Sequence, residues 1–423
     1  MKKIGRVTLL VLLMCGLAAA VYGADTKKET LTFLTWIDIT QDNVRSTVYK
    51  EAVAKFEKEH PNFKIEWRTL PWDEVITQIA VMHEAGATPD IMGMGQVGMR
   101  AQIDAGRALD LTPYYQKNPG LADEFKSANL RVATVNGHYY CIPHLTDLTV
   151  VYYRKDFFKE VGLDPSRGPA TWDEFVQYAQ KLTNKNRWGA AFTADLSGWL
   201  PQHWAPLVEM AGGKLIDEKG RSVMNNPGTI KALQFYVDLV QKYKVSPVEV
   251  IGLSPEAMSE GFIQGKFAMT LNDGSWNYAE TYLPALGADK IGWSLYPAPQ
   301  SGVKRVDHSS GWSFMIFAKS KHPDEALDFV LTMNSSENLH RLAVAGYGLP
   351  IRKGGIDALQ TENPLMYQWG LEARNSVPVP PTPFVQELWQ IVATNMEKAI
   401  QGKMTAAQAL QATDADFNKK HNF

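Results

Sequence analysis

Three features are scarce in the sequence: cysteine, long apolar segments and an excess of charge of one sign. The 423 residues include two cysteines, Cys15 and Cys141, so a framework of disulfides is excluded. Beyond the first 23 residues, no apolar run approaches the roughly 20 residues that a membrane-spanning helix needs. The 43 Lys and Arg are balanced by 45 Asp and Glu, whereas a nucleic-acid-binding surface requires clustered basic residues. We therefore expect a globular protein that is soluble after processing and that does not bind nucleic acid.

Recognisable catalytic motifs are also missing. The nine histidines include no pair with the spacing of a zinc protease, and no Gly-x-Ser-x-Gly nucleophile motif occurs. Gly93, Gly95 and Gly98 match the dinucleotide fingerprint, but they follow the third predicted strand instead of the first. We interpret them as a tight strand-to-helix loop. No enzyme activity, cofactor or metal is predicted, although two carboxylates brought together by folding could still form a glycosidase pair.

The first 23 residues have the pattern of a secretory signal peptide. A basic start precedes an apolar run over residues 7–20, and small residues follow near position 23. We expect the mature chain to begin near Ala24 and to reside in the periplasm. The alternative is a lipid anchor on Cys15, which is disfavoured because Met14 is bulky where such sites prefer a small residue. Once Cys15 is removed, no internal disulfide can form, so core packing must stabilise the protein.

Hydrophobic spacing predicts strands that alternate with helices. Residues 31–36 form a short β-prone run, and apolar residues then recur every four positions over 44–56. Alternation over 63–69 predicts a second strand, the spacing over 72–80 a second helix, and residues 89–92 a third strand. This order is typical of an α/β fold with parallel strands.

Helix-start signals continue this pattern further along the chain. Thr171 and Glu174 have the spacing of a capping box. Asn226 before Pro227 predicts a second helix start. Pro323 followed by two acidic residues predicts a third, because the helix dipole favours negative charge in the first turn.

Several short segments have characteristic sequences and occur in a fixed order over nearly the whole mature chain. They are residues 31–36 (LTFLTW) with 56–61 (FEKEHP), 86–91 (GATPDI), 106–113 (GRALDLTP), 137–143 (GHYYCIP) with 151–157 and 162–165, 262–270 (FIQGKFAMT) with 274–276 (GSW), 348–352 (GLPIR), and the helix around Trp389. Together they resemble the extracellular solute-binding protein family 1, the sugar-binding components of bacterial ABC importers.

The resemblance implies the class II periplasmic binding protein fold: two α/β lobes with parallel-rich sheets flanked by helices and a ligand cleft between them. It also implies a carbohydrate ligand, ABC importer membrane subunits as partners, and a monomer. Hinges are expected near 144–148, 307–312 and within 358–372. The expected lobes are residues 24–145 with 310–360, and 146–309 with 361–423.

Physical chemistry and the resemblance together suggest ligand-binding residues. A pyranose presents an apolar C–H face and a rim of hydroxyls, so a binding site combines aromatic rings with carboxylates and amides. Trp36 and Asp38 follow the first strand, where open α/β sheets bind ligands, and the other positions rest mainly on the resemblance. The candidates are Trp36, Asp38, Gln96, Asp147, Trp199, Trp204, Trp276, Trp312, Tyr347, Arg352 and Trp389.

Several of these residues have alternative interpretations. The alternative role of Trp36 is an aromatic side chain at the sheet edge, and that of Asp38 is a helix cap. The alternative for Gln96 is to hold a loop in place, and for Trp312 and Trp389 it is packing in a core. Neutral sugars are the preferred ligands, because a phosphate would need more arginines than Arg352. Polyols, glycerol phosphodiesters, a metal or a vitamin stay open as ligands, as does a role as a sensor input protein.

Overall fold

The computed structural model describes residues 28–124, 130–131, 133–194, 199–306, 308, 311–352, 354–373, 380, 382 and 384–423. The predicted signal peptide, residues 1–23, and Cys15 lie outside these residues. Cys141 is fully buried, and burial raises the pKa of its thiol to about 12.

Short strands and longer helices alternate along the described chain. The strands are β1 (Glu29–Thr35), β2 (Phe63–Thr69), β3 (Ile91–Gly95), β4 (Thr134–Val135), β5 (His138–Tyr139), β6 (Ile142–Thr146), β7 (Thr149–Arg154), β8 (Ala191–Phe192), β9 (Met269–Gly274), β10 (Ile291–Ser294), β11 (Gly311–Ile316) and β12 (Leu349–Pro350). The helices are α1 (Val44–Glu59), α2 (Trp72–Glu84), α3 (Gln96–Asp104), α4 (Thr112–Lys117), α5 (Leu121–Glu124), α6 (Lys155–Glu160), α7 (Trp172–Leu182), α8 (Trp199–Met210), α9 (Pro227–Gln241), α10 (Pro255–Ile263), α11 (Leu283–Leu286), α12 (Pro323–Met333), α13 (Ser336–Val344), α14 (Leu359–Glu362), α15 (Pro364–Ala373), α16 (Val385–Ile400) and α17 (Ala406–Lys420). A 3₁₀ turn (Val248–Val250) and a π-helical turn (Tyr278–Tyr282) complete them. No helix in this part of the chain has both the length and the apolarity needed to cross a membrane.

The first sheet has the strand order β12-β6-β11-β3-β1-β2. The three strands predicted from the N-terminal sequence are confirmed, and β1 pairs in parallel with both β2 and β3. The parallel pairing ends there, because β11 runs antiparallel between β3 and β6, and β12 runs antiparallel to β6. The sheet is therefore mixed, since chain that returns from the second lobe is inserted into it.

The second sheet has the strand order β10-β7-β9-β8. Its one parallel pair is β8 with β9, and β7 is antiparallel to both of its neighbours. Two residues, Asp147 and Leu148, separate β6 of the first sheet from β7 of the second. The predicted first hinge coincides with this short connection.

All three predicted helix starts are confirmed, and two of them have side-chain caps. Thr171 Oγ1 accepts a hydrogen bond from Glu174 N, and Asn226 Oδ1 accepts one from Thr229 N. The third helix begins at Pro323, as predicted. Each cap satisfies a backbone N–H that the first helical turn leaves without an internal partner.

Two large cores correspond to the two sheets. The first contains apolar side chains of β1, β3, β6 and β11 with α1 and α12. The second packs β7 and β9 against α7, α8, α9, α16 and α17. A third cluster joins the lobes near the connection, where Leu148 and Tyr152 pack with Ala343, Leu349 and Trp369. The chain after α13 therefore contributes to both lobes.

A buried histidine links three elements of the first core. His144 on β6 is fully buried, and its Nδ1 lies 2.6 Å from Asn334 Oδ1 while its Nε2 lies 2.7 Å from Tyr49 Oη. A neutral imidazole satisfies both contacts, donating from Nδ1 and accepting at Nε2. Burial lowers the pKa of His144 to about 4.

This pKa predicts a pH dependence of stability. Because the folded-state pKa is below the unfolded value of about 6.5, the stabilisation is complete above pH 6.5 and is lost as the pH falls towards 4. The loss should approach about 3 kcal/mol, at about 1.4 kcal/mol per pKa unit. His144→Gln keeps one donor and one acceptor but does not titrate. Urea unfolding between pH 7 and pH 4 should therefore show a shallower decline in the variant than in the wild type, and equal declines would contradict the assignment.

Candidate functional site

Most of the ligand-binding residues predicted for the first lobe lie at one edge of the first sheet. β1, β3 and β6 end at this edge, and the antiparallel strands β11 and β12 begin there. The register pairs Trp312 with Gly95 and Leu145, and Leu349 with Thr146. The predicted residues at this edge are Trp36 after β1, Gln96 after β3, Asp147 after β6, Trp312 in β11 and Tyr347 before β12.

The corresponding edge of the second sheet lies beside the two-residue connection. β7 begins there, and its first residue, Thr149, pairs with Gly274 at the end of β9. β8, which is parallel to β9, and β10, which is antiparallel to β7, end at the same edge. Trp276, two residues beyond β9, therefore lies at the junction of the two sheets, and its neighbour Ser275 is hydrogen-bonded to Leu148 of the connection.

Two of the predicted tryptophans contact each other at the first edge. The rings of Trp36 and Trp312 have centroids 5.1 Å apart and meet edge to face. Trp312 is 7% exposed and Trp36 is partly exposed. Together they form an apolar wall of the kind that packs against the C–H face of a sugar.

The loop that carries Trp276 is held in place by its own backbone and by the connection. Leu148 N donates to Ser275 Oγ at 3.1 Å, and Ser275 N donates to Leu148 O at 2.8 Å. The indole of Trp276 packs so closely on Gly274 that a Cβ at that position would lie 2.2 Å from ring atoms. Glycine at 274 therefore allows the ring to lie against the end of β9.

A buried carboxylate supports the same loop. Asp273 is 1% exposed and accepts hydrogen bonds from Thr270 Oγ1 at 2.8 Å, from Asn277 Nδ2 at 2.7 Å and from the Tyr282 hydroxyl. Burial raises the pKa of Asp273, and the three donors oppose this shift. These bonds join the end of β9 to the π-helical turn, so they fix the backbone on both sides of Trp276.

We expect Gly274→Ala to displace the Trp276 ring without unfolding the protein. The backbone at 274 is not among the left-handed positions, so alanine is conformationally allowed, but its Cβ excludes the present ring position. Fluorescence of the variant should show a changed accessibility of tryptophan to acrylamide, while circular dichroism stays unchanged. Unaltered quenching would mean that the ring is not held by this contact.

Asp147 occupies the connection itself. It is 1% exposed and lies between two strands whose residues are almost all buried. Burying a carboxylate is costly unless hydrogen bonds or charges compensate for lost hydration. A charge at this position is therefore consistent with a binding role, which stays a prediction.

Two histidines that the sequence did not single out also lie near the connection. His203 in α8 and His308 are at most 1% exposed, and their ring centroids are 5.1 Å apart. Thr149 N donates to His308 O at 3.0 Å, so this segment is bonded to the start of β7. No spacing rule connects residues 203 and 308, and the contact arises from the fold.

An ion pair between the lobes was also not predicted. Arg45 Nη1 near the start of α1 donates to Glu280 Oε1 in the π-helical turn at 2.9 Å. The Arg45 guanidinium lies 5.0 Å from the centroid of the Tyr347 ring. Glu280 follows Trp276 by four residues, so the pair lies beside the predicted site. The 235-residue separation of the two charges left no local signal.

The remaining predicted residues have varied surroundings. Asp38 accepts hydrogen bonds from Thr40 N and Oγ1 at 2.8 and 2.7 Å, which lower its pKa, but it is not the helix cap of its alternative, because Asn43 Oδ1 caps α1 by accepting from Ser46 N. Arg352 is partly exposed two residues after β12. Gln96 and Trp199 begin α3 and α8, and their side chains lie outside the described part of the structure.

Trp204 and Trp389 are packed in the core of the second lobe. They are 0% and 2% exposed, on α8 and α16, which pack against each other. Their indole N–H groups have no hydrogen-bond partner among the described residues. The packing matches the alternative given for Trp389, and the lone donors leave the ligand role of both residues open.

The glycine fingerprint lies in packed backbone. A Cβ on Gly93 would lie 3.1 Å from side chains of Phe33 and Thr35, and one on Gly98 would lie 2.5 Å from Met94. These glycines therefore permit close packing of β3 and α3. Across the described ranges, no group of three or more His, Cys, Asp and Glu side chains is placed to hold a metal ion.

Comparison with known proteins accounts for this architecture. The family model of the bacterial extracellular solute-binding proteins matches residues 41–339. The chain belongs to this family. Among curated relatives of this solute-binding protein, the arabinooligosaccharide-binding protein of Bacillus subtilis is 26% identical over 340 residues, which cover 78% of this chain and 74% of the relative.

Solved structures share the fold of this solute-binding protein. The maltose-bound MalE3 of T. maritima has a TM-score of 0.79 and 22% identity, covering 92% of this chain and 99% of its own. A solute-binding protein from Thermotoga lettingae bound with α-D-tagatose has a TM-score of 0.81 and 22% identity, covering 93% and 99%. The two-lobe fold predicted from the sequence is thus confirmed.

Proposed function

We propose that this protein is the substrate-binding component of an ABC importer and captures an uncharged carbohydrate between its two lobes. The observation that carries the proposal is the convergence of two sheet edges on one connection, with Trp36 and Trp312 on one side and Trp276 on the other. Ligands of open α/β sheets bind at such edges. The named relatives point the same way, since arabinooligosaccharides, maltose and tagatose are uncharged sugars.

The chemistry of the junction suits a ligand with many hydroxyls. Tryptophan faces would pack on the apolar side of a sugar ring, and Asp147 would accept hydrogen bonds from its hydroxyls. The hydroxyl of Thr193, one residue beyond β8, is buried without a hydrogen-bond partner among the described residues and fits the same ligand. A buried polar group without a partner costs about 1–3 kcal/mol, and a bound hydroxyl would remove that cost. This supports a ligand contact at Thr193, while Trp204 and Trp389 are kept as proposed ligand residues on the family resemblance.

The mechanism we infer is ligand-linked closure. Contacts from both lobes exist together only when the lobes are close, so a sugar that touches both favours the closed state. The narrow links between the sheets suit hinges, the first of them at Asp147 and Leu148. We keep the proposed lobes as residues 24–145 with 310–360 and 146–309 with 361–423.

Further parts of the proposal rest on family membership. Members are extracellular, which supports a periplasmic location reached through the signal peptide. We propose that the protein carries out no chemistry, acts as a monomer, and meets the importer's membrane subunits after it has bound sugar.

The proposal is tested by thermal unfolding of residues 24–423 with a panel of mono-, di- and trisaccharides, polyols and glycerol phosphates. A ligand at a hundredfold excess over its dissociation constant should stabilise the protein by about 2.7 kcal/mol, a shift of a few degrees in Tm. We expect such a shift with one class of neutral sugar. A cooperative transition that no compound shifts, or hydrolysis of a sugar during incubation, would overturn the proposal.

A further inference from the structure

Within the described part of the chain, the salt bridge between Arg45 and Glu280 joins the helix that flanks the first sheet to the turn that follows the second sheet. Arg45 belongs to α1, which packs on the first core, and Glu280 follows β9 of the second sheet. The side chains are 13% and 25% exposed, so water screens their attraction less than it would at an open surface. This pair can form only while the two lobes are close.

The surroundings of the pair belong to the proposed ligand site. Arg45 lies over the ring of Tyr347, which precedes β12 at the first sheet edge. Glu280 shares its turn with the residues that follow Trp276, and this turn is anchored by the Asp273 network. The two lobes approach closely beside the pair as well, since a Cβ on Gly346 would lie 2.5 Å from the Ala279 Cβ.

The charges of the pair bear on the class of ligand. An arginine beside a sugar site is a strong subsite for carboxylate or phosphate groups. Here Glu280 already occupies one Nη of Arg45 and neutralises its charge. An anionic ligand would have to compete with Glu280, whereas an uncharged sugar leaves the pair intact.

We propose that Arg45 and Glu280 form an interlobe clasp, made only on closure, which strengthens binding of uncharged sugars and disfavours anionic ones. The proposal rests on the proposed function, because it concerns the ligand of the same cleft. Glu280 acts as a positioning residue: its bond to Arg45 holds the two lobes together in the closed state.

The chain offers a matched control for substitution. Arg341 Nη1 donates to Glu51 Oε2 at 2.5 Å, and this pair joins α13 to α1 within the first lobe. Glu51→Gln therefore removes an Arg–Glu pair from the same helix α1 without touching the contact between lobes. The charge exchange Arg45→Glu with Glu280→Arg restores an interlobe pair of opposite polarity.

The binding experiment is calorimetric titration of these variants with the sugar found in the thermal panel and with its uronic acid. Glu280→Gln should weaken binding of the neutral sugar about fivefold to thirtyfold, the charge exchange should recover to within about threefold of wild type, and Glu51→Gln should stay within about twofold. The uronic acid should gain affinity relative to the neutral sugar in Glu280→Gln. Equal effects of Glu280→Gln and Glu51→Gln, or an unchanged preference between the two sugars, would overturn the clasp.

A second measurement keeps the clasp separate from the proposed function. Spin labels on cysteines introduced at the exposed Lys58 and Lys185 report the distance between lobes without any sugar, and native Cys141 is too buried to be labelled. The clasp stabilises the closed form that the ligand-free protein samples, so we expect Glu280→Gln to lose the shorter distances of the wild-type distribution, while Glu51→Gln matches wild type. A wild type that binds no sugar but shows this difference would retain the interlobe clasp and reject the carbohydrate function, and identical distributions would reject the clasp itself.

Discussion

Trp276→Ala should weaken sugar binding by tenfold or more while the protein stays folded. The ring lies at the junction of the two sheets, on a loop fixed by Ser275 and Asp273. Its removal takes away an apolar face that we propose to pack on the sugar, and tenfold corresponds to about 1.4 kcal/mol. Calorimetric titration gives the change in affinity, and Trp276→Phe should recover part of it because a smaller aromatic face remains.

Trp188→Ala is the matched control for this substitution. Trp188 is 38% exposed and pairs with Phe267 before β8 and β9 begin, at the end of the second sheet opposite to the junction. The same truncation there should leave affinity unchanged. If Trp276→Ala binds the sugar as tightly as Trp188→Ala does, Trp276 is not part of the site.

Asp147→Asn should reduce affinity by about tenfold to a hundredfold. The substitution preserves size but replaces a charged acceptor, and hydrogen bonds to charged groups contribute about 1.5–3 kcal/mol. Titration of the variant measures the loss, and Asp164→Asn, on an exposed turn of the second lobe, controls for removal of one negative charge. An Asp147→Asn protein with wild-type affinity and an unchanged melting temperature would exclude Asp147 from binding.

The local parts of the fold could be predicted because their causes are local. Alternation over 63–69 reflects a half-buried strand, and the caps at Thr171 and Asn226 are hydrogen bonds within one turn. Pairing between β6 and β11 depends on residues about 170 positions apart, so no local spacing indicated it. The mixed character of both sheets follows from such returning strands.

The residues of the candidate site also differ in whether a local sequence signal could predict them. Trp36, at the end of a strand that the sequence reveals, could be placed at a sheet edge, and its contact with Trp312 agrees with that expectation. The pair Arg45–Glu280 could not be foreseen, because each charge is ordinary in its own segment. The Asp273 network does have a local signal in the sequence, because Thr270, Asp273 and Asn277 cluster where an apolar strand ends.

The central claim, that a sugar bound between the lobes closes them, is tested most directly by small-angle X-ray scattering of residues 24–423. Scattering is recorded without ligand and with saturating amounts of the sugar that stabilises the protein in the thermal panel. The account predicts a smaller radius of gyration with sugar and a smaller change in Trp276→Ala at the same sugar concentration. Superimposable scattering curves for the free and the fully bound protein would contradict ligand-linked closure.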